Sequence, residues 1–427
     1  MTRTSIPAAV AAALAALFLA GCAGTGASPS SGGDGAGEHW VATWGTAQMV
    51  PQAQDELAPA QWRDATLRQV VRVSNAGSRV RVKLSNAMGV TPLVIDAASI
   101  AISNGPGHAG VDAATLRPLR FKGSASVTIP GGAEYLSDPV DLAIAGGTDL
   151  ALSLHFPNEP SRQTSHPGSR ATSYLAGGRH VMDADLPGAT TFTRWYQIAE
   201  VDVQAPAPAR AVVAIGDSIT DGYGVVNDSN ARWTDSLATR LRAQGMAEVG
   251  VVNAGIGGGR LLRDGLGPNM VSRFDRDVLE RAGVSHAIVM IGVNDFGIPH
   301  RNKEDSPAYR QALVLDMEQA QRQLVARAHA RGVCVIGGTI TPYSGSGYYA
   351  PAAENEADRQ AYNRFVRESG VFDGVADFDA ALRDPARPSY LKKEFDNDGL
   401  HPNKAGYGAM AEAVPLALLK DCKVARR

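Results

Sequence analysis

"AVVAIGDSITDGYG", residues 211–224, joins an apolar run of strand length to a turn that carries a single serine, Ser218. The apolar run has the composition of a strand that is buried on both faces of a parallel sheet. Serine at such a boundary is commonly a helix cap, but it can also be a nucleophile, and both roles are open here. The stretch lacks the G-x-S-x-G elbow that announces many nucleophilic serines, so the choice depends on the rest of the chain.

Similar apolar runs recur after this one, separated by helical patterns. They cover residues 249–253, 286–292, 333–340 and 374–378. The clearest helical pattern places Leu313, Met317, Ala320, Leu324 and Ala328 on one face, at spacings of three and four. A last helix is expected over residues 403–420. Alternating strands and helices predict a parallel sheet that is covered on both faces.

The preceding part, residues 38–205, has a different pattern of short runs in which polar and apolar residues alternate. This pattern predicts an antiparallel β-sandwich, of the jelly-roll kind. Two of the runs, residues 69–74 and 79–86, flank "NAGS" and are expected to form a hairpin. The Pro/Ala-rich residues 206–210 predict a linker, followed by a second domain over residues 211–427.

The first 37 residues have the features of a targeting segment. Residues 1–22 contain an early arginine, a short apolar segment and small residues before Cys22, which is the layout of a secretory signal. Their end, "LAGC", resembles the lipobox of bacterial lipoproteins, in which the cysteine carries the lipid. The Gly/Ser-rich residues 23–37 would be a tether. We therefore expect an extracytoplasmic lipoprotein of the bacterial cell envelope; a secreted protein with an ordinary cleavage site is the alternative.

Composition excludes some partners. The chain of 427 residues has a formal net charge of −2 and no long basic run, so nucleic acid is not an expected partner. Cys334 and Cys422 lack metal-ligand spacing, and no zinc site is expected. In an oxidising compartment they could form a disulfide, or they could remain two separate buried thiols. The sequence leaves the oligomeric state open.

Ligands of open α/β sheets bind at the carboxyl ends of the strands, and three motifs fall there. They are Ser218, the glycines of residues 255–259 and Asn294. The glycine stretch matches neither a dinucleotide fingerprint nor a P-loop, so nucleotide binding is not expected. It could be a plain tight turn, or its backbone N–H groups could bind an oxyanion. Asn294 could likewise cap a turn or donate its amide to that oxyanion.

One histidine stands in a distinctive context. His401 follows Asp398 by three residues in "DNDGLHPNKAGY", just before the expected last helix. An aspartate so placed can hold the Nδ1–H of the imidazole and leave Nε2 free as a base. Asp396 is a competitor for this orienting role, and Asp398 is the favoured one.

Taken together, these residues resemble the SGNH, or GDSL, hydrolase family. Its four blocks occur in order over about 210 residues. They are GDS with Ser218, "NAGIGG" from Asn253, G-x-N-D with Asn294, and D-x-x-H from Asp398 to His401. The resemblance implies a flavodoxin-like, three-layer α/β/α fold for the second domain. It also implies a serine carboxylic ester hydrolase that needs no metal or organic cofactor.

The resemblance assigns a role to each residue. Ser218 would attack the ester carbonyl, His401 would take its proton, and Asp398 would orient the imidazole. The backbone N–H groups of Ser218 and Gly258, with the Asn294 side chain, would form the oxyanion hole. Gly257 is the alternative to Gly258 if the glycine block is aligned one residue away.

The sandwich ahead of such a domain resembles two-domain bacterial esterases, including carbohydrate acetylesterases. Removal of O-acetyl groups from carbohydrate is therefore the expected activity. The alternatives are a lysophospholipase or broad aryl and short-chain esterase and, more distantly, an inactive carbohydrate-binding protein. Trp40, Trp44 and Trp62 could form a sugar platform, but core positions are the stronger expectation for most of them.

Overall fold

The computed structural model describes residues 37–424, which form one compact unit. The predicted signal segment with Cys22, and all of the predicted tether except Gly37, lie outside the described residues. Between residues 37 and 424, no helix is both long enough and apolar enough to cross a membrane.

The first part of the described chain consists of antiparallel strands with few helical turns. The strands are β1 Glu38–Gly45, β2 Ala65–Arg72, β3 Arg79–Ser85, β4 Leu93–Ile95, β5 Ala97–Ile102, β6 Arg117–Pro118, β7 Val127–Ile129, β8 Glu134–Leu136, β9 Asp149–Phe156, β10 Ser165–His166, β11 Ser173–Gly177, β12 Thr190–Phe192, β13 Trp195–Tyr196 and β14 Ile198–Pro206. The helical turns are α1 Pro59–Trp62 and the 3₁₀ turns Ala53–Asp55 and Ala113–Thr115.

These strands form two main antiparallel sheets. One has the order β12-β11-β2-β9-β5-β6 and the other β1-β14-β3-β8, with β10-β13 and β4-β7 as small pairs. In β3 the alternate residues Val80, Val82 and Leu84 are buried, as expected for a strand that turns one face to a core. The predicted antiparallel sandwich is confirmed.

The predicted hairpin around "NAGS" is wrong, because β2 and β3 belong to different sheets. β2 pairs with β9 and β11, whereas β3 pairs with β14 and β8. The connection crosses between the sheets and is held by β1: Ser74 N donates to Thr43 O at 2.9 Å, and Thr43 Oγ1 donates to Asn75 O at 3.0 Å. A turn signal marks a change of direction, but it does not say whether the next strand pairs with the previous one.

The second part of the chain alternates parallel strands with helices. The strands are β15 Arg210–Gly216, β16 Val249–Gly255, β17 Val284–Met290, β18 Cys334–Gly338 and β19 Gly374–Ala376. The helices are α2 Ser218–Asp221, α3 Trp233–Ala243, α4 Met270–Phe274, α5 Val293–Arg301, α6 Pro307–Ala330, α7 Ala353–Glu368, α8 Phe378–Leu382 and α9 Lys404–Ala413. A π-helical turn spans Asp275–Leu279, and 3₁₀ turns span Lys393–Phe395 and Leu416–Leu419.

The five strands form one parallel sheet in the order β16-β15-β17-β18-β19. Successive side chains of β15 point to opposite faces of the sheet. Val212 and Ala214 share a core cluster with residues of α3 and α9, whereas Val213 and Ile215 share one with residues of α4 and α6. The predicted parallel sheet with helices on both faces is confirmed.

The predicted helix pattern of residues 313–328 lies in α6, and all five residues of its apolar face are buried. The last helix is shorter than predicted, because α9 ends at Ala413 and Leu416–Leu419 forms a separate 3₁₀ turn. Pro415 explains the break, since it has no N–H to donate within a helix and forces the preceding residue out of the helical conformation.

Contacts between the antiparallel strands and the parallel sheet are extensive. Ala42 N of β1 donates to Ala282 O at 2.8 Å. Glu200 of β14 accepts from Arg281 at 2.8 Å, and both side chains are buried. One hydrophobic cluster includes residues of both parts. The predicted boundary at residues 206–210 coincides with the turn between β14 and β15, and the division into separate domains stays a prediction.

Two open questions of side-chain placement are decided by the fold. Trp44 and Trp62 are buried core residues, and half-buried Trp40 packs under Arg81, whose guanidinium carbon lies 4.5 Å from the ring centre. Cys334 at the start of β18 and Cys422 form a disulfide. This disulfide lies at the amino end of the parallel sheet, away from the strand ends that carry the predicted motifs.

Candidate active site

Ser218 is the first residue of α2, immediately after β15 ends. Asp217, not Ser218, caps this helix: its side chain accepts a hydrogen bond from Ile219 N at 3.0 Å. The turn requires glycine at Gly216, where a Cβ would lie 2.2 Å from Thr220 Oγ1. Because Asp217 is the cap, the Ser218 hydroxyl is free for another partner.

That partner is His401. Ser218 Oγ lies 2.9 Å from His401 Nε2, and both residues are buried. His401 Nδ1 lies 2.9 Å from Asp398 Oδ2, and the backbone N–H of His401 donates to Asp398 Oδ1 at 2.8 Å. The competitor Asp396 is engaged elsewhere, since its carboxylate accepts from Gly399 N at 2.6 Å. The structure thus brings Ser218, His401 and Asp398 together in one chain of contacts.

The turn between Asp398 and His401 depends on glycine. Gly399 has a φ of +80°, which L side chains rarely adopt, and a Cβ there would lie 2.1 Å from Gly345 O. The loop that contains Gly345 therefore packs directly against the turn that presents the histidine.

The electrostatics of this group favour a neutral imidazole and an ionised carboxylate. Burial lowers the pKa of His401 below its ordinary value, against the opposing effects of Asp398. For Asp398, burial acts to raise the pKa, but the hydrogen bonds from His401 outweigh it and the pKa is lowered. His401 can therefore accept a proton near neutral pH.

The glycine block lies against the turn that precedes Ser218, where Ile256 N donates to Gly216 O at 3.1 Å. Gly258, rather than Gly257, takes the left-handed conformation, with a φ of +67°. Its N–H makes no hydrogen bond among the described residues, and the N–H of Ser218 has no partner within α2 because it is the first helical residue. Asn253 ties this block to α2, because its amide donates to Thr220 O at 2.6 Å.

Asn294 lies in the first turn of α5 and is not its cap, which is Gly292. Its Nδ2 donates to Gly259 O at 2.7 Å, and its Oδ1 accepts the hydroxyl of Tyr349. These two contacts fix which end of the amide is the donor, and they leave the second N–H of Nδ2 available.

Two further carboxyl groups support these loops. Asp295 accepts from the backbone N–H of Leu261 at 2.9 Å, which anchors the segment after the glycine block. Burial raises the pKa of Asp295 to about 6, and burial raises the pKa of Asp217 to about 7. Both are structural acids behind the site.

Sequence reasoning missed three side chains that belong to this region. Tyr349 orients Asn294, Tyr223 packs its ring 4.1 Å from the ring of His401, and Arg170 lies 5.6 Å from the centre of the Tyr223 ring. Arg170 and Tyr349 are far from the motifs along the chain, so no local spacing signals them. Tyr223 is inside the opening stretch, and an aromatic residue five positions after the candidate nucleophile was the available signal.

One group in the described part of the chain brings potential metal ligands close together, namely His286, Cys334 and Cys422. The two sulfur atoms are bonded to each other, so they are not free thiolates. This group lies at the other end of the sheet from Ser218.

The fold and this arrangement define a serine ester hydrolase of the α/β/α type. Residues 214–409 match the sequence profile of the GDSL-like Lipase/Acylhydrolase family. The resemblance drawn from the four motifs is thereby confirmed.

Solved structures resemble about half of the chain. A GDSL-like lipase from Bacteroides thetaiotaomicron is 16% identical, with a TM-score of 0.37, over 49% of this chain and 88% of its own. A variant of an acetyl xylan esterase from Geobacillus stearothermophilus is 19% identical, with a TM-score of 0.37, over 51% of this chain and 97% of its own. Among curated protein sequences, none matches the chain significantly.

Proposed function

We propose that Ser218, His401 and Asp398 act as a catalytic triad that hydrolyses carboxylic esters through an acyl-enzyme. The observation that carries this proposal is the pair of contacts made by His401, 2.9 Å to Ser218 Oγ and 2.9 Å to Asp398 Oδ2. Nucleophile, base and orienting carboxylate at hydrogen-bond distance are the geometry that activates a serine.

In the first half-reaction Ser218 Oγ bonds to the carbonyl carbon while its proton passes to His401 Nε2. The resulting oxyanion would accept hydrogen bonds from the N–H groups of Ser218 and Gly258 and from the free N–H of Asn294. As the C–O bond to the alcohol breaks, His401 returns the proton to the leaving oxygen. The product is the free alcohol and an ester on Ser218.

In the second half-reaction His401 takes a proton from water, whose oxygen attacks the acyl carbon. The bond to Ser218 Oγ then breaks, and His401 gives the proton back to the serine. Asp398 stabilises the imidazolium in both halves. A neutral His401 is required at the start of each half, which its lowered pKa supports.

For the substrate we propose O-acetyl groups on carbohydrate. Two exposed or partly exposed polar side chains flank the histidine, the aromatic ring of Tyr223 and the guanidinium of Arg170. Aromatic rings and polar groups are suited to sugar rings, which present both apolar faces and hydroxyls. The exposed Leu266, which packs against Gly258, favours the second candidate, an esterase or lysophospholipase for longer acyl chains.

The test is hydrolysis by Ser218→Ala. We expect kcat to fall about 10⁶-fold, as it does when a triad nucleophile is removed. Ser229→Ala is a matched control, because Ser229 lies on the exposed part of the same segment and is expected to leave activity unchanged. Survival of full activity in Ser218→Ala would refute the triad.

The same preparation separates the substrate candidates. Release of acetate from acetylated glycans is compared with release of fatty acid from lysophospholipid and with p-nitrophenyl esters of increasing chain length. We expect acetate release from the glycans to have the highest kcat/KM. A preference for lysophospholipid or for long p-nitrophenyl esters would select the second candidate instead.

We also propose that Cys22 carries a lipid and that the enzyme is held at the bacterial cell envelope. The support is the lipobox-like "LAGC" after an apolar segment. In cells fed a labelled fatty acid, Cys22→Ala is expected to lose the label that the parent protein takes up. Unchanged labelling would contradict the anchor.

A further inference from the structure

Arg170 comes from the antiparallel part of the chain and reaches the proposed catalytic histidine. It lies in the loop between β10 and β11, and its guanidinium carbon is 5.6 Å from the centre of the Tyr223 ring. The same ring is 4.1 Å from the ring of His401 and is 45% exposed. Guanidinium and imidazole therefore contact one solvent-exposed aromatic ring.

The donors of Arg170 lack acceptors. A guanidinium has five N–H donors, and among the described residues Arg170 donates no hydrogen bond from any of them. Its Nε is buried without a partner, and the nearest carboxylate oxygen, Asp221 Oδ2, is 4.0 Å from Nη2. A largely buried donor group that the protein leaves unpaired is suited to an acceptor that arrives with a ligand.

Asp221, the carboxylate next to Arg170, makes its hydrogen bond to another side chain. Asp221 Oδ1 lies 2.8 Å from His166 Nε2, and His166 Nδ1 lies 2.9 Å from Ala47 O. Asp221 thus directs one carboxylate oxygen to His166, and its other oxygen lies 4.0 Å from Arg170 Nη2, beyond hydrogen-bond distance.

The loop is built to hold Arg170 in place. Asp228 N donates to Arg170 O at 2.9 Å, and Thr172 N donates to Asp228 Oδ1 at 2.7 Å. Arg170 has a φ of +49°, a conformation that costs energy for a residue with a side chain. Such conformations persist only where neighbouring contacts enforce them, and they are frequent at ligand sites.

We propose that Arg170 binds an anionic oxygen group, a carboxylate or a phosphate, that the substrate carries close to its scissile ester. The planar guanidinium fork matches the oxygens of either group. This inference rests on the proposed function of Ser218 and adds the substrate class: an acetylated acidic sugar if the anion is a carboxylate, a phosphate-bearing ester otherwise.

The test compares kcat/KM for three substrates with the same ring. These are the mono-O-acetyl isomer mixtures of methyl glucoside, methyl glucuronide and methyl glucoside 6-phosphate. We expect at least a tenfold preference for one of the two anionic substrates over the neutral one, and the preferred substrate identifies the anion. In Arg170→Gln this preference disappears, because KM rises more for the anionic substrate than for the neutral one.

Two matched variants complete the comparison. Arg162→Gln removes the same charge from an exposed position of the same region and should keep the preference. Arg170→Lys keeps the positive charge but lacks the planar guanidinium, and it should retain part of the preference for the anionic substrate. A parent enzyme without charge preference, or a preference that survives in Arg170→Gln, would overturn the proposal.

The pH dependence of kcat/KM for the neutral substrate gives a second readout, in the acid limb where activity falls as His401 is protonated. The groups that face His401 are Asp398, the Tyr223 ring and Arg170, with Asp221 and His166 behind Arg170. Removing the Arg170 cation makes protonation of His401 easier, so the limb should move to higher pH. An unmoved limb would contradict the placement of Arg170 beside His401.

The proposed function fails separately from this inference. If Ser218→Ala still hydrolyses the neutral acetyl sugar, the triad is refuted. If Ser218→Ala is inactive and the parent enzyme ignores substrate charge, the triad stands and only the role of Arg170 is lost.

Discussion

At the scale of single residues, the proposed oxyanion donor Asn294 depends on Tyr349 for its orientation. An amide can present either its oxygen or its nitrogen, and only the nitrogen stabilises negative charge. The Tyr349 hydroxyl donates to Oδ1, while Nδ2 donates to Gly259 O. Tyr349 can lie this close because Gly297 of α5 has no side chain: a Cβ there would be 2.5 Å from the tyrosine ring.

Tyr349→Phe should lower kcat about tenfold and leave KM nearly unchanged. The change leaves Oδ1 unpaired and frees the amide to rotate, so part of the roughly 10²- to 10³-fold contribution of an oxyanion donor is lost. Steady-state kinetics on an acetyl ester measures this split between kcat and KM.

Tyr343→Phe is the matched control, because Tyr343 is a buried neighbour whose hydroxyl has no partner among the described residues. In an Asn294→Ala background, Tyr349→Phe should cause little further loss. Equal activity of Tyr349→Phe and Tyr343→Phe would show that the tyrosine hydroxyl does not position the amide.

At the scale of elements, the start of α2 is stabilised by a carboxyl group that is buried. Asp217 caps the helix, and burial raises its pKa to about 7. The folded state thus binds its proton more tightly than the unfolded chain, in which the value is near 3.8. The stabilisation that this proton gives is complete below about pH 3.8 and is lost as the pH rises through about 7.

Asp217→Asn should therefore gain stability relative to the parent protein as the pH is raised from 5 to 8. Asparagine caps about as well as aspartate and carries no charge to bury. Asp217→Ala also carries no charge but loses the cap, so it should be about 1 kcal/mol less stable than Asp217→Asn at both pH values. Urea unfolding at the two pH values gives the free energies. Parallel pH dependence of the parent and Asp217→Asn would contradict a raised pKa at this position.

The elements that the sequence predicted well are those whose signal is local. The apolar runs of β15 to β18 and the single face of α6 are visible in any window of the chain, because burial demands those residues. Pro415, within the expected last helix, is also a local signal, and it indicates that the helix ends before this residue. The partners of β2 and β3 were not predictable, since they are strands about 50 or more residues away along the chain.

The residues of the candidate site also divide into those that have a local sequence signal and those that do not. Ser218 and Asn294 follow predicted strands, and Asp398 and His401 precede a predicted helix. The structure joins Ser218, His401 and Asp398 in one chain of contacts and places Asn294 against Gly259. Tyr349 and Arg170 lie in loops that carry no recognisable motif. Their contacts with Asn294 and with the Tyr223 ring are visible only in the folded structure.

At the scale of the whole molecule, a buried ion pair joins the antiparallel strands to the parallel sheet. Glu200 on β14 contacts Arg281 just before β17, and their side chains are 0% and 2% exposed. The favourable charges hold the pKa of Glu200 down to about 2 despite its burial. Breaking one partner of such a pair leaves a buried charge without compensation.

Glu200→Ala should lower the free energy of unfolding by about 3 to 5 kcal/mol. Glu159→Ala is the matched control, because it breaks the exposed pair with Arg63 and should cost no more than about 1 kcal/mol. Chemical denaturation of both variants gives the comparison. Equal, small losses would mean that the two parts of the chain do not depend on each other through Arg281.

The most direct test of the central claim is to trap the nucleophile. A fluorophosphonate ester loses fluoride when a serine activated by a histidine attacks phosphorus, and the protein gains the mass of the phosphonyl group. Mass spectrometry after incubation should find one adduct, on the peptide that contains Ser218, and none in Ser218→Ala or His401→Ala. An adduct on another residue, or hydrolysis that is blocked while Ser218 remains unmodified, would contradict the account.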